Sequence, residues 1–125
     1  MQTASAPPGH SHPSWLAANG ALCAAAAVAL TAYAAHGYDG IALSRLNTAA
    51  FFAFGHGAAI AILAPMATAR THRIALAMLY VGVLLFSGSL TFNVLAGWPT
   101  RFAPFGGMLL IAGWVVWAVG AVRRH

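Results

Sequence analysis

Four long stretches of apolar and small residues dominate this chain, and the segments between them are short and polar. The stretches run from Trp15 to Ala35, Thr48 to Ala67, Met78 to Gly97 and Pro104 to Val122, and none contains an Asp, Glu, Lys or Arg. A hydrocarbon core about 30 Å thick is crossed by about 20 helical residues. Inside it every backbone polar group must be bonded within the protein, which a helix achieves by itself. Each stretch therefore predicts one membrane-spanning helix, over about 15–36, 47–67, 73–96 and 104–122, with a flexible polar tail at 1–14. Short connections make successive helices antiparallel. The expected fold is all-α: an integral membrane protein whose single domain, residues 15–125, is a four-transmembrane antiparallel helix bundle.

Local chemistry sets the expected boundaries. Gly37 and Gly40 bracket Tyr38 and Asp39 in a turn-forming stretch that ends helix 1. Asn47 or Thr48 suits the N-cap of helix 2. Pro104 fits the first turn of helix 4, where its missing N–H costs nothing. Pro65, in the last turn of helix 2, is expected to kink or fray that end without breaking the span. Trp15, Tyr38, Tyr80 and Trp98 fall near the expected interfaces, as an aromatic belt would.

Composition supports the same class. Hydrophobic residues make up 61% of the chain and charged residues 6%, against about 25% charged in soluble domains. The net charge of +5 comes from six arginines against Asp39 alone. The arginines are scattered between the apolar stretches instead of clustering on one face, which argues against nucleic acid as a partner. Arg70, Arg73, Arg123 and Arg124 share the side of the termini, and Arg45 and Arg101 lie opposite. That bias orients both termini toward the cytoplasm. Cys23 is the only cysteine, so an internal disulfide is excluded. The first fourteen residues carry no Lys or Arg and so lack the positive region of a cleavable signal peptide. His10 and His12 belong to that polar extension and are not read as a metal site.

Lipid is as apolar as leucine, so the helices must associate through close packing and interhelical hydrogen bonds. Helix 1 is rich in alanine, and helix 4 places Gly106, Gly113 and Gly120 seven residues apart. At 3.5 to 3.6 residues per turn that spacing is a narrow stripe along one face. Pure packing is the expected role of these glycines.

Polar residues within the spans are costly and mark candidate sites. His56 is expected about 12 Å into helix 2, near the midplane, as either a structural donor flanked by Gly55 and Gly57 or a functional group. Ser87 and Ser89, near the middle of helix 3, are expected to share its depth and to hydrogen-bond to it. Asn93 lies toward the end shared with His36, Arg45 and Asn47. Together these residues suggest one polar sector, either a small hydrated pocket or a network that fixes helix register.

Two histidines invite a haem reading, but His36 is expected about 12 Å from the level of His56, and axial ligands of one iron share a depth. No carboxylate or cysteine cluster suggests a metal, and no nucleophile, base and orienting acid suggest hydrolysis. The residues imply no cofactor and no enzyme activity.

Several blocks resemble the domain-of-unknown-function family 423, which includes YgdD-like and transmembrane-protein-256-like small membrane proteins. They are Leu30 to Tyr38 around His36, the aromatic run Phe51, Phe52, Phe54 ending at His56, Leu85-Phe-Ser-Gly-Ser-Leu90, and Pro104, Gly106, Gly107 followed by Gly113 and Trp114. The resemblance covers roughly residues 20 to 120. Thr31 and Ala34 stand where the family pattern has small glycines, and Gly55 where it has an aromatic. The resemblance implies a multi-pass protein of the bacterial inner membrane and no particular activity. Two roles follow as expectations: an accessory or assembly partner of a larger membrane complex, or a small transporter or channel built on the polar sector. Expected partners are the lipid bilayer and another membrane protein, or the chain itself as a homo-oligomer.

Overall fold

The computed structural model describes residues 13–123. Within them the chain forms α1 (Trp15–Gly37), α2 (Gly40–Leu63) continued by a 3-10 turn (Ala64–Met66), α3 (Arg70–Ala96) and α4 (Ala103–Val122). No strand occurs among the described residues. All four helices are long and apolar enough to cross a membrane. The first twelve residues of the expected tail, with His10 and His12, lie outside the described residues, as does Arg124.

Several termini have a local cause. Ser14 caps α1, its hydroxyl accepting the Ala17 N–H at 3.2 Å. The chain then turns in two extended residues, Tyr38 and Asp39. Gly40 opens α2 with φ +57°, a left-handed conformation that L side chains rarely adopt. Pro65 lacks an N–H and converts the end of α2 into the 3-10 turn. Gly97 ends α3 at φ +69°. Its N–H bonds to Asn93 O, and the Trp98 N–H to Phe92 O, the crossed pattern of a glycine-terminated helix.

Helix 2 starts seven residues before the expected Asn47, so Asn47 and Thr48 are not its N-cap; Asp39 is. Helix 3 likewise starts at Arg70 instead of Arg73. Hydropathy marks where lipid contact ends, whereas a helix continues into the polar zone for as long as nothing breaks its hydrogen bonding. Ile41 to Leu46 contain neither Gly nor Pro, so the helix runs through them. The same shift takes Tyr80 out of the expected aromatic belt, ten residues into α3.

The helices pair in sequence. α1 lies along α2 and α3 along α4, while α2 against α3 joins the two hairpins. Small residues permit both intimate pairings. Gly20, Ala27 and Ala34, seven apart, are the buried residues of α1. A Cβ on Gly20 would lie 2.7 Å from the Gly57 carbonyl oxygen, and one on Gly57 would lie 2.9 Å from Ala24 N. Across the other seam, a Cβ on Gly106 would meet Gly82 O at 2.7 Å and also the Phe86 backbone nitrogen. A Cβ on Gly113 would lie 2.9 Å from the Leu79 side chain, and one on Gly120 would lie 2.9 Å from the His72 ring. The glycine stripe of α4 thus lies along its contact with α3. Leu46, Ile60, Leu76, Leu79 and Val83 are fully buried, and Ile60, Leu76, Leu79 and Val83 pack with Leu110 into one core cluster across α2, α3 and α4. Phe51, Phe105, Ile111 and Val115 face outward, each more than half exposed, as lipid-facing residues are.

Candidate functional site

The register of the bundle decides which polar side chains meet. The Gly37–Gly40 turn puts the end of α1 and the start of α2 at one level, on the side away from the termini. From there His56 lies sixteen residues along α2, about 24 Å by helical rise. Ser87 lies nine residues from the end of α3 on the same side, about 13 Å.

His56 and Ser87 therefore differ in depth by about 10 Å, and the expected bond between them is not made. The Ser87 hydroxyl donates instead to the Ala49 carbonyl at 2.8 Å, joining α3 to α2. Ser89 does not reach His56 either; its buried hydroxyl has no partner among the described residues. The difference comes from the start of α2: hydropathy puts it at Asn47, whereas the helix begins at Gly40.

His56 joins α2 to α4. Its Nδ1 lies 2.8 Å from the Phe52 carbonyl oxygen, and its Nε2 lies 3.1 Å from the Trp114 indole nitrogen. A carbonyl only accepts and an indole N–H only donates. The imidazole in this arrangement carries its proton on Nδ1, accepts at Nε2 and is neutral. It also stacks on Phe52, with ring planes 8° apart. Trp114 escaped the sequence reading as a polar partner, because spacing along one helix says nothing about a helix two elements away.

The remaining residues of the expected sector divide into separate contacts. Arg45 donates from Nη1 to Asn93 Oδ1, and Asn93 Nδ2 donates to Trp98 O at 2.8 Å. That chain ties α2 to the end of α3 and the loop after it. Asn47 faces α1, where the Thr31 hydroxyl donates to its Oδ1 at 3.1 Å. His36 is exposed in the last turn of α1, about 22 Å along the bundle from His56. The single polar sector expected from the sequence is thus four local contacts at different depths. Among the described residues no three His, Cys, Asp or Glu side chains come together.

Two further polar contacts have no counterpart in the sequence reading. The Tyr80 hydroxyl donates to Asn19 Oδ1 at 3.4 Å, and Asn19 Nδ2 donates to Trp15 O at 2.7 Å, so α3 is bonded to α1. His72 is buried at the start of α3, 4.2 Å from Trp117 between ring centroids. Its Nε2 has no hydrogen-bond partner among the described residues and abuts Gly120. Sequence placed His72 in a loop, where burial is not expected.

Several grooves flank the bundle, and two bear on the polar residues of the spans. One, of about 260 Å³, is walled by α1, α2 and α3 and lined by Cys23, Ala27, Ala53 and Leu84 among others. Its two hydroxyls are already used: Ser87 bonds Ala49 O, and Thr91 bonds Ser87 O at 2.8 Å. The other, of about 520 Å³, lies between α3 and α4 with Arg45 at its edge.

Comparison with known proteins agrees with this architecture. The model of the family described as "Protein of unknown function (DUF423)" matches residues 30–107. That segment runs from the end of α1 into α4 and includes Arg45, His56, Ser87 and Asn93. A UPF0382 membrane protein of Haemophilus influenzae is 36% identical over 110 residues, covering 77% of this chain and 84% of the relative. No solved structure matches. With the matched segment spanning all three helix junctions and a membrane relative aligned over most of both chains, this chain belongs to the DUF423 family of membrane proteins.

Proposed function

We propose that this membrane protein is a non-enzymatic accessory or assembly partner of a larger complex in the inner membrane, with both termini in the cytoplasm. The observation that carries the reading is the closed centre of the bundle. Ile60, Leu76, Leu79 and Val83, each under 2% exposed, form with Leu110 the buried core cluster shared by α2, α3 and α4. A carrier needs a site near the midplane that opens to each side in turn. Here the mid-depth polar groups, His56 and Ser87, are already bonded to Phe52, Trp114 and Ala49. What the molecule offers to its surroundings is a rigid, lipid-facing surface held together by small-residue seams. The orientation rests on the arginines. Arg70, Arg73 and Arg123 stand on the termini side and Arg45 and Arg101 opposite, with Arg124 adding to the first group by sequence.

Affinity purification in mild detergent followed by mass spectrometry tests the role. The expected result is a membrane partner recovered in fixed ratio, with His56→Ala mainly lowering the protein level. The reading fails if the chain is recovered alone and reconstituted vesicles gain a permeability that His56→Ala removes.

A further inference from the structure

The sole acid in the chain is Asp39, and Arg45 forms no ion pair among the described residues. Its one described partner is neutral: Asn93 Oδ1, held in place by the bond from Asn93 Nδ2 to Trp98 O. Asn93 thus fixes the guanidinium without neutralising it. An arginine carries five N–H donors in a rigid fork, so most of its donors stay unused.

Its depth narrows what can match it. The α2 span, Gly40–Met66, has 27 residues and is about 40 Å long. It overshoots a core of about 30 Å by about 5 Å at each end. Arg45 lies five residues in, about 7.5 Å, which places its Cα just beneath the headgroup boundary. A side chain there reaches the level of lipid phosphates.

Beside it runs the larger groove. Phe86 and Leu90 from α3 and Pro104, Gly107, Met108 and Ile111 from α4 form its apolar walls. From Ala103 to Ile111 the α4 wall extends about 12 Å toward the midplane. Gly107 keeps the floor low, since a Cβ there would find only the Phe86 ring, at 3.8 Å. The groove therefore has a fixed cation at its polar mouth and an apolar trough leading inward, and it opens to lipid.

We propose that this groove binds one anionic phospholipid of the leaflet facing away from the termini. The phosphate sits on the Arg45 guanidinium, whose planar fork matches phosphate oxygens in pairs. The Thr100 hydroxyl, which also lines the mouth, is placed to donate to the headgroup. One acyl chain lies along the trough over Gly107. A zwitterionic lipid fills the trough equally well but brings its own cation toward Arg45, so preference for net negative charge is the signature of the site. It is charge complementarity, beyond simple solvation by the bilayer, that selects this occupant.

The test is native mass spectrometry of the full-length protein released from nanodiscs containing equal phosphatidylglycerol and phosphatidylcholine. Wild type is expected to retain one phosphatidylglycerol in preference to phosphatidylcholine. Arg45→Gln removes the charge-assisted bonds and is expected to reduce that preference roughly tenfold. Arg101→Gln, an exposed arginine outside the groove, is expected to keep it. Gly107→Leu fills the trough while leaving Arg45 and Asn93 in place, and is expected to lose the retained lipid; it carries the test should Arg45→Gln fail to fold. The proposal is overturned if Arg45→Gln keeps the preference, if Gly107→Leu retains lipid as wild type does, or if the preference tracks Arg101. Arg45-dependent capture of an acidic protein without any lipid preference overturns it equally.

Discussion

Adjacent glycines in α4 make opposite predictions, and the difference isolates what holds the bundle together. A Cβ added at Gly106 would meet three backbone atoms of α3: Gly82 O at 2.7 Å, Phe86 Cα at 2.9 Å and the Phe86 amide nitrogen. No rotamer change moves a backbone, so the two helices must separate. Overpacking of this kind costs about 1–3 kcal/mol. At Gly107 the same methyl would touch only the Phe86 ring, at 3.8 Å or more, which is ordinary contact. There alanine removes the helix penalty of glycine, up to about 1 kcal/mol in water and less where the unfolded reference remains helical in lipid. Gly106→Ala gains the same propensity, which cancels in the comparison, so it should be less stable than Gly107→Ala by about 1–3 kcal/mol, at least several-fold in the folding equilibrium. Reversible unfolding in mixed dodecyl maltoside and sodium dodecyl sulfate, followed by tryptophan fluorescence, measures the difference. Equal stability of the two variants would refute the claim that backbone approach at this seam drives association. The α1–α2 seam offers a parallel comparison: Gly57→Ala should destabilise, whereas Gly55→Ala, with nothing within 4 Å, should not.

Two further outcomes follow from the polar contacts and from the topology. Ser87→Ala removes the bond to Ala49 O and should cost about 0.6 kcal/mol, the average for interhelical hydrogen bonds measured in a membrane protein. Ser89→Ala removes a buried hydroxyl that has no partner among the described residues and should be neutral or stabilising in the same unfolding assay. For orientation, Asp39→Cys and Thr100→Cys in a Cys23→Ser background should react with a membrane-impermeant maleimide added to intact cells, and Thr68→Cys should react only after lysis. The reverse pattern would place the termini outside.

The candidate site shows where reading the sequence reaches its end. Arg45 and Asn93 were recognisable as polar residues toward the same end of the bundle, because helix order and the short turns fix which ends coincide, and they do meet. His56 and Ser87 were expected at one level and lie about 10 Å apart. The error came from one boundary: Ile41 to Leu46 read as loop by hydropathy, yet they continue the helix that Gly40 begins. Seven misplaced residues shift a helix by about 10 Å, enough to exchange every partner along it. His72 and Trp117 were unreadable for a related reason, since an α3 that starts at Arg70 buries a ring the sequence seemed to leave in a loop.

Sequence by itself determined the number of helices, their membrane character, their antiparallel order and the glycine stripe of α4, while Gly20, Gly57 and Gly82 emerged as seam residues only in the packed bundle. Those properties follow from composition and period along one chain: about 20 apolar residues span lipid, and glycines seven apart share a face. Tertiary structure alone decided which polar atoms meet. Hydrogen bonds between helices depend on relative register and rotation to within an ångström or two, and neither is encoded in the period of a single helix. The His56 bridge to Trp114 and the Arg45 latch to Asn93, at the edge of the groove between α3 and α4, exist only once the hairpins are packed together.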